Sequence, residues 1–304
     1  MDRAPVLQPV VEQSESADPL TMIGRSIWRL NSVRKSPPQP SPNATQRGHK
    51  EHSEASIAIA GERHHHIGMT DPRAIMAARN NADWYAMMFD VHGLRYHRSE
   101  IAFLALDTPP PYHSWMTTLD PTADRALLEL ISQNLDRPGF GLKDAFHCLE
   151  LRPHGLIEHF SATWIWADTV QPASATGWTR ITSADDLLLW EAAWKDGGSP
   201  SDQRQFPAAI LGRPDVFIWG RATADGFDAG AVANLSSDCV GLSNCFGRGA
   251  FRAAAMLCAE LAQDLPVVGY ERGNDLSAAL DAGFEAAGLL RIWCKPARSA
   301  PAID

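Results

Sequence analysis

Histidine is missing from the chain beyond His159, although eleven are present in all. Imidazole chemistry is therefore confined to the first half. The five cysteines (148, 239, 245, 258 and 294) include no C-x-x-C pair. That excludes a thiolate zinc module and a disulfide framework, and it suits reduced, buried thiols in a cytoplasmic protein. No apolar run reaches the roughly 20 residues that span a bilayer, and no signal-type apolar core of about 7–15 residues stands near the N-terminus. Positive charge is short as well, since 27 Lys and Arg against 36 Asp and Glu leave a net charge of −9. A nucleic-acid surface needs a basic face, so neither nucleic acid nor membrane is expected as a partner. An anionic small molecule stays admissible, because the unpaired N–H groups of a helix start hold anions whatever the net charge.

Enough apolar material is present for a large core: 45% of the 304 residues are hydrophobic and ten are Trp. This length suits one large domain or two small ones. Residues 1–68 are expected to be disordered; the run SPPQPSPNATQRGHKEHSE at 36–54 is polar, Pro-rich and aperiodic. The stretch MIGRSIWRL at 22–30 could form a basic amphipathic turn, but interspersed acids argue against a targeting segment. Thr70-Asp71-Pro72 is a helix start, with Thr70 or Asp71 as cap and proline in the first turn. The natural start is therefore expected near Met69, the preceding residues being an upstream extension.

Residues 69–170 are expected to form a mixed α/β half, 171–177 a linker, 178–296 a second mixed half and 297–304 a tail. Apolar residues at helical spacing predict a helix over 72–92, stopped by Gly93. Strands are expected at 100–106 and 112–119, broken by Pro109-Pro110-Pro111, then a helix from Asp120 to Leu135. Residues 145–151 and 156–166 read as a hairpin across Pro153-His154-Gly155. In the second half, a strand at 178–181, a helix at 183–194 and strands at 216–221 and 227–235 follow. There is no close sequence repeat, but two mixed halves allow a degenerate duplication.

The densest information lies at 238–293. Residues 238–246 read as a strand, Gly247-Arg248-Gly249 as a turn, and AFRAAAMLCAEL at 250–261 as a strong helix. A short buried strand at 266–270, a helix capped by Asn274 or Asp275 and ending at Gly283, and a closing strand from Phe284 to Trp293 complete the series. This order resembles the acyl-CoA-binding half of the GNAT N-acyltransferase superfamily over about residues 178–295. The resemblance implies an α/β fold, α+β mixed, of the GNAT-like acyl-CoA N-acyltransferase type, with a degenerate tandem of two halves as one form of it. It also implies two splayed parallel strands, with acetyl-CoA or another acyl-CoA as co-substrate and an amine of a small molecule or peptide as acceptor. The cofactor would lie along Val240, Gly241 and Leu242, and its phosphates over Asn244 and the turn Gly247, Arg248 and Gly249. The family loop Q/R-x-x-G-x-G/A is matched at both glycines, but Asn244 stands at its first position.

A second departure concerns the tyrosine that many members carry five residues before the Gly-Phe phenylalanine; Ala279 occupies that position. Glu271 is the candidate general base, against a strand-end carboxylate pairing with Arg272. Tyr270 is the candidate general acid, against a core tyrosine. The rival to a transferase is a non-catalytic acyl-CoA sensor or interaction protein on a decayed transferase fold; a ligand-free structural duplicate is the third reading.

Other constellations carry less. His64-His65-His66 suits adventitious metal. His92 and His97 are not at i, i+4, and His113, His147 and His159 with Asp144 or Glu158 have no metal-site spacing, so no metal is expected. Ser243 in GLSNC lacks the second glycine of a nucleophile elbow, and Cys245 has no activating neighbour in sequence. Trp164, Trp166, Trp178, Trp190 and Trp194 read as core more readily than as a substrate groove. Tyr112-His113 after the proline run could form a substrate loop, though such runs usually make rigid connections.

Overall fold

Asp71 accepts the Arg73 backbone N–H at 2.9 Å, and Pro72 occupies the first helical position. Helix α1 (Pro72–His92) therefore begins where a cap and a residue without an N–H coincide. Gly93 ends it at φ 68, a conformation open to a residue without Cβ. These are the first elements of a computed structural model that describes residues 70–262 and 264–296. The readings for residues 1–69, among them disorder, the 22–30 segment, the histidine triplet and the start near Met69, lie outside the described residues, as does the tail at 297–304.

Among the described residues five α-helices pack on one eleven-stranded sheet. The first half supplies β1 (Tyr96–Arg98), β2 (Ala102–Ala105), β3 (Met116–Thr118), α2 (Asp124–Ser132), β4 (Gly141–Asp144) and β5 (Ile157–Ala167). The second supplies β6 (Trp178–Arg180), α3 (Ala184–Asp196), β7 (Val216–Thr223), β8 (Gly226–Leu235), β9 (Val240–Phe246), α4 (Ala250–Leu261), β10 (Val267–Glu271), α5 (Gly273–Asp281) and β11 (Glu285–Cys294).

The strand order is β1-β2-β3-β4-β11-β5-β10-β9-β8-β7-β6. Strands β3 and β4 run parallel across helix α2, and β9 and β10 run parallel across helix α4. Strand β11 lies antiparallel to β4, while β5 lies antiparallel to β10. At the centre β5 and β11 pair with each other. Each half thus lends its final strand to the other half's parallel pair. The order is near-symmetric about the central strands, the arrangement of a degenerate tandem. This is a mixed α/β fold built on a single sheet.

That exchange corrects the expected hairpin. Residues 145–151 do not pair with β5; β4 ends at Asp144, whose carboxylate accepts the N–H groups of Cys148 at 3.2 Å and Leu149 at 2.9 Å. Those bonds fold the following segment into a turn, and β11 takes the place beside β5. Helix α2 is shorter than expected, because Asp120 binds Thr122 in a local turn ahead of it. Arg272, not Asn274 or Asp275, stands at the N-cap of α5, without a side-chain bond.

Side-chain alternation divides the core. Trp164 and Trp166 of β5 face α1, packing with Ala74, Ala77 and Ala78. Ile165 and Ala167 face the other way, against Ala254, Ala255 and Cys258 of α4. Trp190 and Trp194 share a face of α3 and both meet Phe206, with ring centroids at 5.1 Å. They are core, as expected, and each such burial stabilises by about 1.5–3 kcal/mol. Four cysteines are buried, but Cys148 is exposed, contrary to expectation; none is in a disulfide.

Candidate functional site

Strand β10 pairs with β5 along its whole length, from Val267 to Glu271. Its other edge meets β9 at only two positions, Val267 with Val240 and Val268 with Gly241. Beyond them the parallel strands part. At the apex the Leu242 carbonyl would stand 2.7 Å from a Cβ placed on Gly269, so glycine is what permits this approach. Gly241 is closed in on the other side: a Cβ there would meet Asn80 Oδ1 at 2.0 Å and Asn234 Oδ1 at 2.3 Å.

Past the apex β9 bulges. The β8 register shifts between Gly230 and Val232, and Asn244 adopts φ 53. Asparagine enters the left-handed region more readily than other residues with a Cβ, and a bulge re-aims the backbone it contains. Asn244, the first position of the family-type loop, lies within the expected strand and forms its bulge. Then Gly247 (φ 91) and Gly249 (φ 69) turn the chain into α4. A Cβ on Gly247 would meet Asp228 O at 2.3 Å, whereas nothing lies within 4 Å of one on Gly249. No side chain caps α4 and no acid occupies its first turn. The Ala250 N–H goes to the Gly247 carbonyl at 3.3 Å, and the N–H groups that follow it, with the positive dipole end, are available to an anion. Arg248 is exposed at the tip.

The gap between the strands opens into a cleft walled by both halves. The second half contributes Leu242, Ser243, Asn244, Cys245, Gly269, Tyr270 and Glu271. Helix α1 contributes Asn80, Asn81, Trp84 and Tyr85, and loops bring Tyr112, His113 and Gln205. Of the residues singled out from sequence, Gly241, Leu242, Asn244, Tyr270 and Glu271 meet here. Val240 is buried in the core under α4 instead, and Gly247, Arg248 and Gly249 form the separate turn beyond.

Tyr270 and Glu271 face opposite sides of the sheet, as neighbours on a strand must. Glu271 is 7% exposed, and no protein hydrogen bond to its carboxyl is present among the described residues. Burial, with a smaller contribution from Asp275, pushes its pKa well above the usual carboxylate range. The Asp275 carboxyl is itself raised to about 6 by burial. The alternative pairing of Glu271 with Arg272 is not seen among the described residues; the Arg272 guanidinium lies 4.2 Å over the Phe160 ring. Tyr270 packs edge-on against Trp164 at 5.5 Å. Burial raises its phenol further, so it keeps its proton at neutral pH.

Behind Tyr270 stands a residue that sequence reasoning missed. Lys143 of β4 is 1% exposed and donates to Asn81 Oδ1 at 2.5 Å. Its ammonium lies 4.4 Å from the Tyr270 ring and 4.8 Å from the Tyr85 ring, a cation held between two aromatic faces. Burial lowers its pKa to about 7. A lysine inside a strand with buried neighbours was the available signal, but its partners are far away in sequence. His113, His147 and His159 do not converge; no group of three His, Cys, Asp or Glu able to hold a metal occurs among the described residues.

No family model matches the chain, and no curated protein does. Solved structures similar to it include a GCN5-related N-acetyltransferase from Kribbella flavida, at 15% identity and TM-score 0.49, covering 73% of this chain and 96% of that one. A GCN5-related N-acetyltransferase from Sphaerobacter thermophilus shares 11% identity at TM-score 0.44, covering 74% and 91%. A tandem GNAT protein from the clavulanic acid biosynthesis pathway shares 11% at TM-score 0.36, covering 74% and 96%. The likeness is one of fold.

Proposed function

We propose that the protein is a GNAT-type N-acyltransferase, moving an acetyl or other acyl group from acyl-CoA to an amine of a small-molecule or peptide acceptor. The observation that carries this reading is the parallel pair β9 and β10, which parts after two residue pairs and leads to an uncapped helix start. The residues present fit acyl-CoA. Open strand edges suit the amides of pantetheine, and the turn Gly247–Gly249 with the α4 N-terminus suits its phosphates. Bound acyl-CoA would supply the thioester carbonyl as electrophile. Backbone N–H groups of β9 near Leu242 would polarise that carbonyl.

Glu271 takes the proton of the attacking amine, directly or through water. Burial raises its pKa well above the ordinary carboxylate range, which makes it a stronger base than an exposed carboxylate. Tyr270 retains a proton that can pass to the leaving thiolate. No covalent enzyme intermediate is required. The second reading, a non-catalytic acyl-CoA sensor, is favoured by Ala279, whose methyl side chain offers no acid at that position.

The test has two stages. Acetyl-CoA at about 100 times its dissociation constant should add roughly 2.7 kcal/mol of stability. An amine screen that reads free thiol then separates transferase from sensor. Stabilisation without turnover on any amine leaves the sensor; no stabilisation by acetyl-CoA, longer acyl-CoA or free CoA removes the cofactor.

A further inference from the structure

His113 sits in the loop between β2 and β3, after the three prolines, and is 5% exposed. Its Nδ1 lies 2.9 Å from the Pro111 carbonyl oxygen. A carbonyl only accepts, so Nδ1 carries the proton and Nε2 presents a lone pair. Gln205 Nε2 lies 3.4 Å from the same Nδ1, but an amide nitrogen only donates, and the shorter contact to the carbonyl decides the tautomer. The ring packs on Tyr85 at 4.5 Å. Burial is the main cause that lowers the imidazole pKa to about 3, with Lys143 and His92 adding repulsion. The ring is therefore neutral across the physiological range.

Nε2 is buried and has no hydrogen-bond partner among the described residues. His113 lines the cleft that also holds Tyr270, Glu271 and the β9 bulge. A desolvated lone pair without a donor costs about 1–3 kcal/mol, and a cleft that keeps one is shaped for a ligand that brings the donor. A carboxylate, which only accepts, cannot satisfy a lone pair.

We propose that His113 is the acceptor-recognition residue of the cleft, where its Nε2 receives an N–H of the amine or amide group of the acceptor beside the Tyr85 ring. The word acceptor rests on the transferase reading; the requirement for a donor-bearing ligand does not. The first half of the chain would thereby choose the molecule that the second half acylates.

The test uses full-length protein with 15N-labelled histidine and three ring-matched probes: benzylamine, benzamide and benzoate. Long-range 15N spectra read the tautomer and pairing of His113, with His113→Phe serving to assign it. Benzylamine or benzamide should shift the Nε2 resonance, and benzoate should not. His113→Phe should weaken binding of the active probe roughly tenfold, while His113→Gln, which keeps an acceptor near Nε2, should recover most of it. Acetyl-CoA stabilisation should survive in both variants. A benzoate shift equal to that of benzylamine overturns the proposal. So does an unmoved Nε2 in protein that acetyl-CoA still stabilises. A donor-specific shift in protein that no acyl-CoA stabilises upholds the subsite and removes the transferase reading instead.

Discussion

The sheet contains two parallel pairs in equivalent positions, and only one of them is open. Strands β3 and β4 meet at Met116 with Leu142 and at Thr117 with Lys143, two pairs, just as β9 and β10 do. Beyond that point the first-half gap is stitched by the protein itself. Thr118 Oγ1 accepts the Ala145 N–H at 2.9 Å, and Trp164 Nε1 donates to the Ala145 carbonyl at 2.6 Å. The backbone groups that a ligand would need are already taken. The helix start has changed too. Where β9 is followed by two left-handed glycines, β3 is followed by Asp120-Pro121-Thr122, and Asp124 opens α2. Hydrogen bonds from Thr122 hold the Asp120 carboxyl below its ordinary range, so the turn is anionic. Negative charge at a helix start disfavours a second anion there, and the glycine turn carries no such charge.

The first half has nevertheless not become idle. Its gap is filled, but its helix α1 and its His113 wall the cleft of the second half, with Lys143 behind Tyr270. One half keeps an open strand pair, and the other supplies a wall of the cleft beside it.

The largest expected effect comes from Glu271→Gln. Turnover should fall about a hundredfold or more, equivalent to roughly 2.7 kcal/mol, with acetyl-CoA binding kept. Wild-type rate should rise with pH through the elevated Glu271 pKa, and the variant should lack that rise. The stability sign is opposite. A carboxyl whose folded pKa lies above the unfolded 4.5 binds its proton more tightly when folded, so wild type loses stability relative to the variant as pH rises through that window. Equal pH–rate profiles would remove Glu271 from the proton path.

Gly249→Asp comes next, because it copies the first half's acidic turn into the second. Asp tolerates the left-handed conformation better than most residues, and the space around Gly249 is open. The fold should hold while the roughly 2.7 kcal/mol of acetyl-CoA stabilisation is lost. A retained thermal shift would mean that the turn does not hold phosphate. The reverse experiment is Thr118→Val, which unpicks the stitch in the first half. It should cost about 1–3 kcal/mol in urea denaturation by stranding the Ala145 N–H, and acetyl-CoA binding should not change. Lys143→Met probes the join between the halves. The lysine pKa falls from 10.5 to about 7 on burial, so its penalty is complete below pH 7 and fades towards 10.5. Any advantage of the methionine variant should therefore shrink as pH rises across that interval; an advantage flat with pH would show that Lys143 is not desolvated.

The sequence by itself determined the local elements. Helix α1 was legible from Asp71, Pro72 and Gly93, and α4 from its run of strong helix formers between Gly249 and Leu261. The turn Gly247–Gly249 and the strands β9 and β10 could also be read, since caps, turns and periodicity depend on residues a few positions apart. Tertiary structure decided the pairing and the site. The expected hairpin at 145–166 failed because β11, more than a hundred residues later, pairs better with β5 than the nearer segment does. Lys143 looked like any strand lysine until Tyr85 and Tyr270 closed on it. His113 looked like a loop residue until Pro111 fixed its tautomer and the cleft isolated its other nitrogen. Burial and partnership are properties of space, and two halves that exchange their last strands bring together residues whose separation along the chain carries no sign of it.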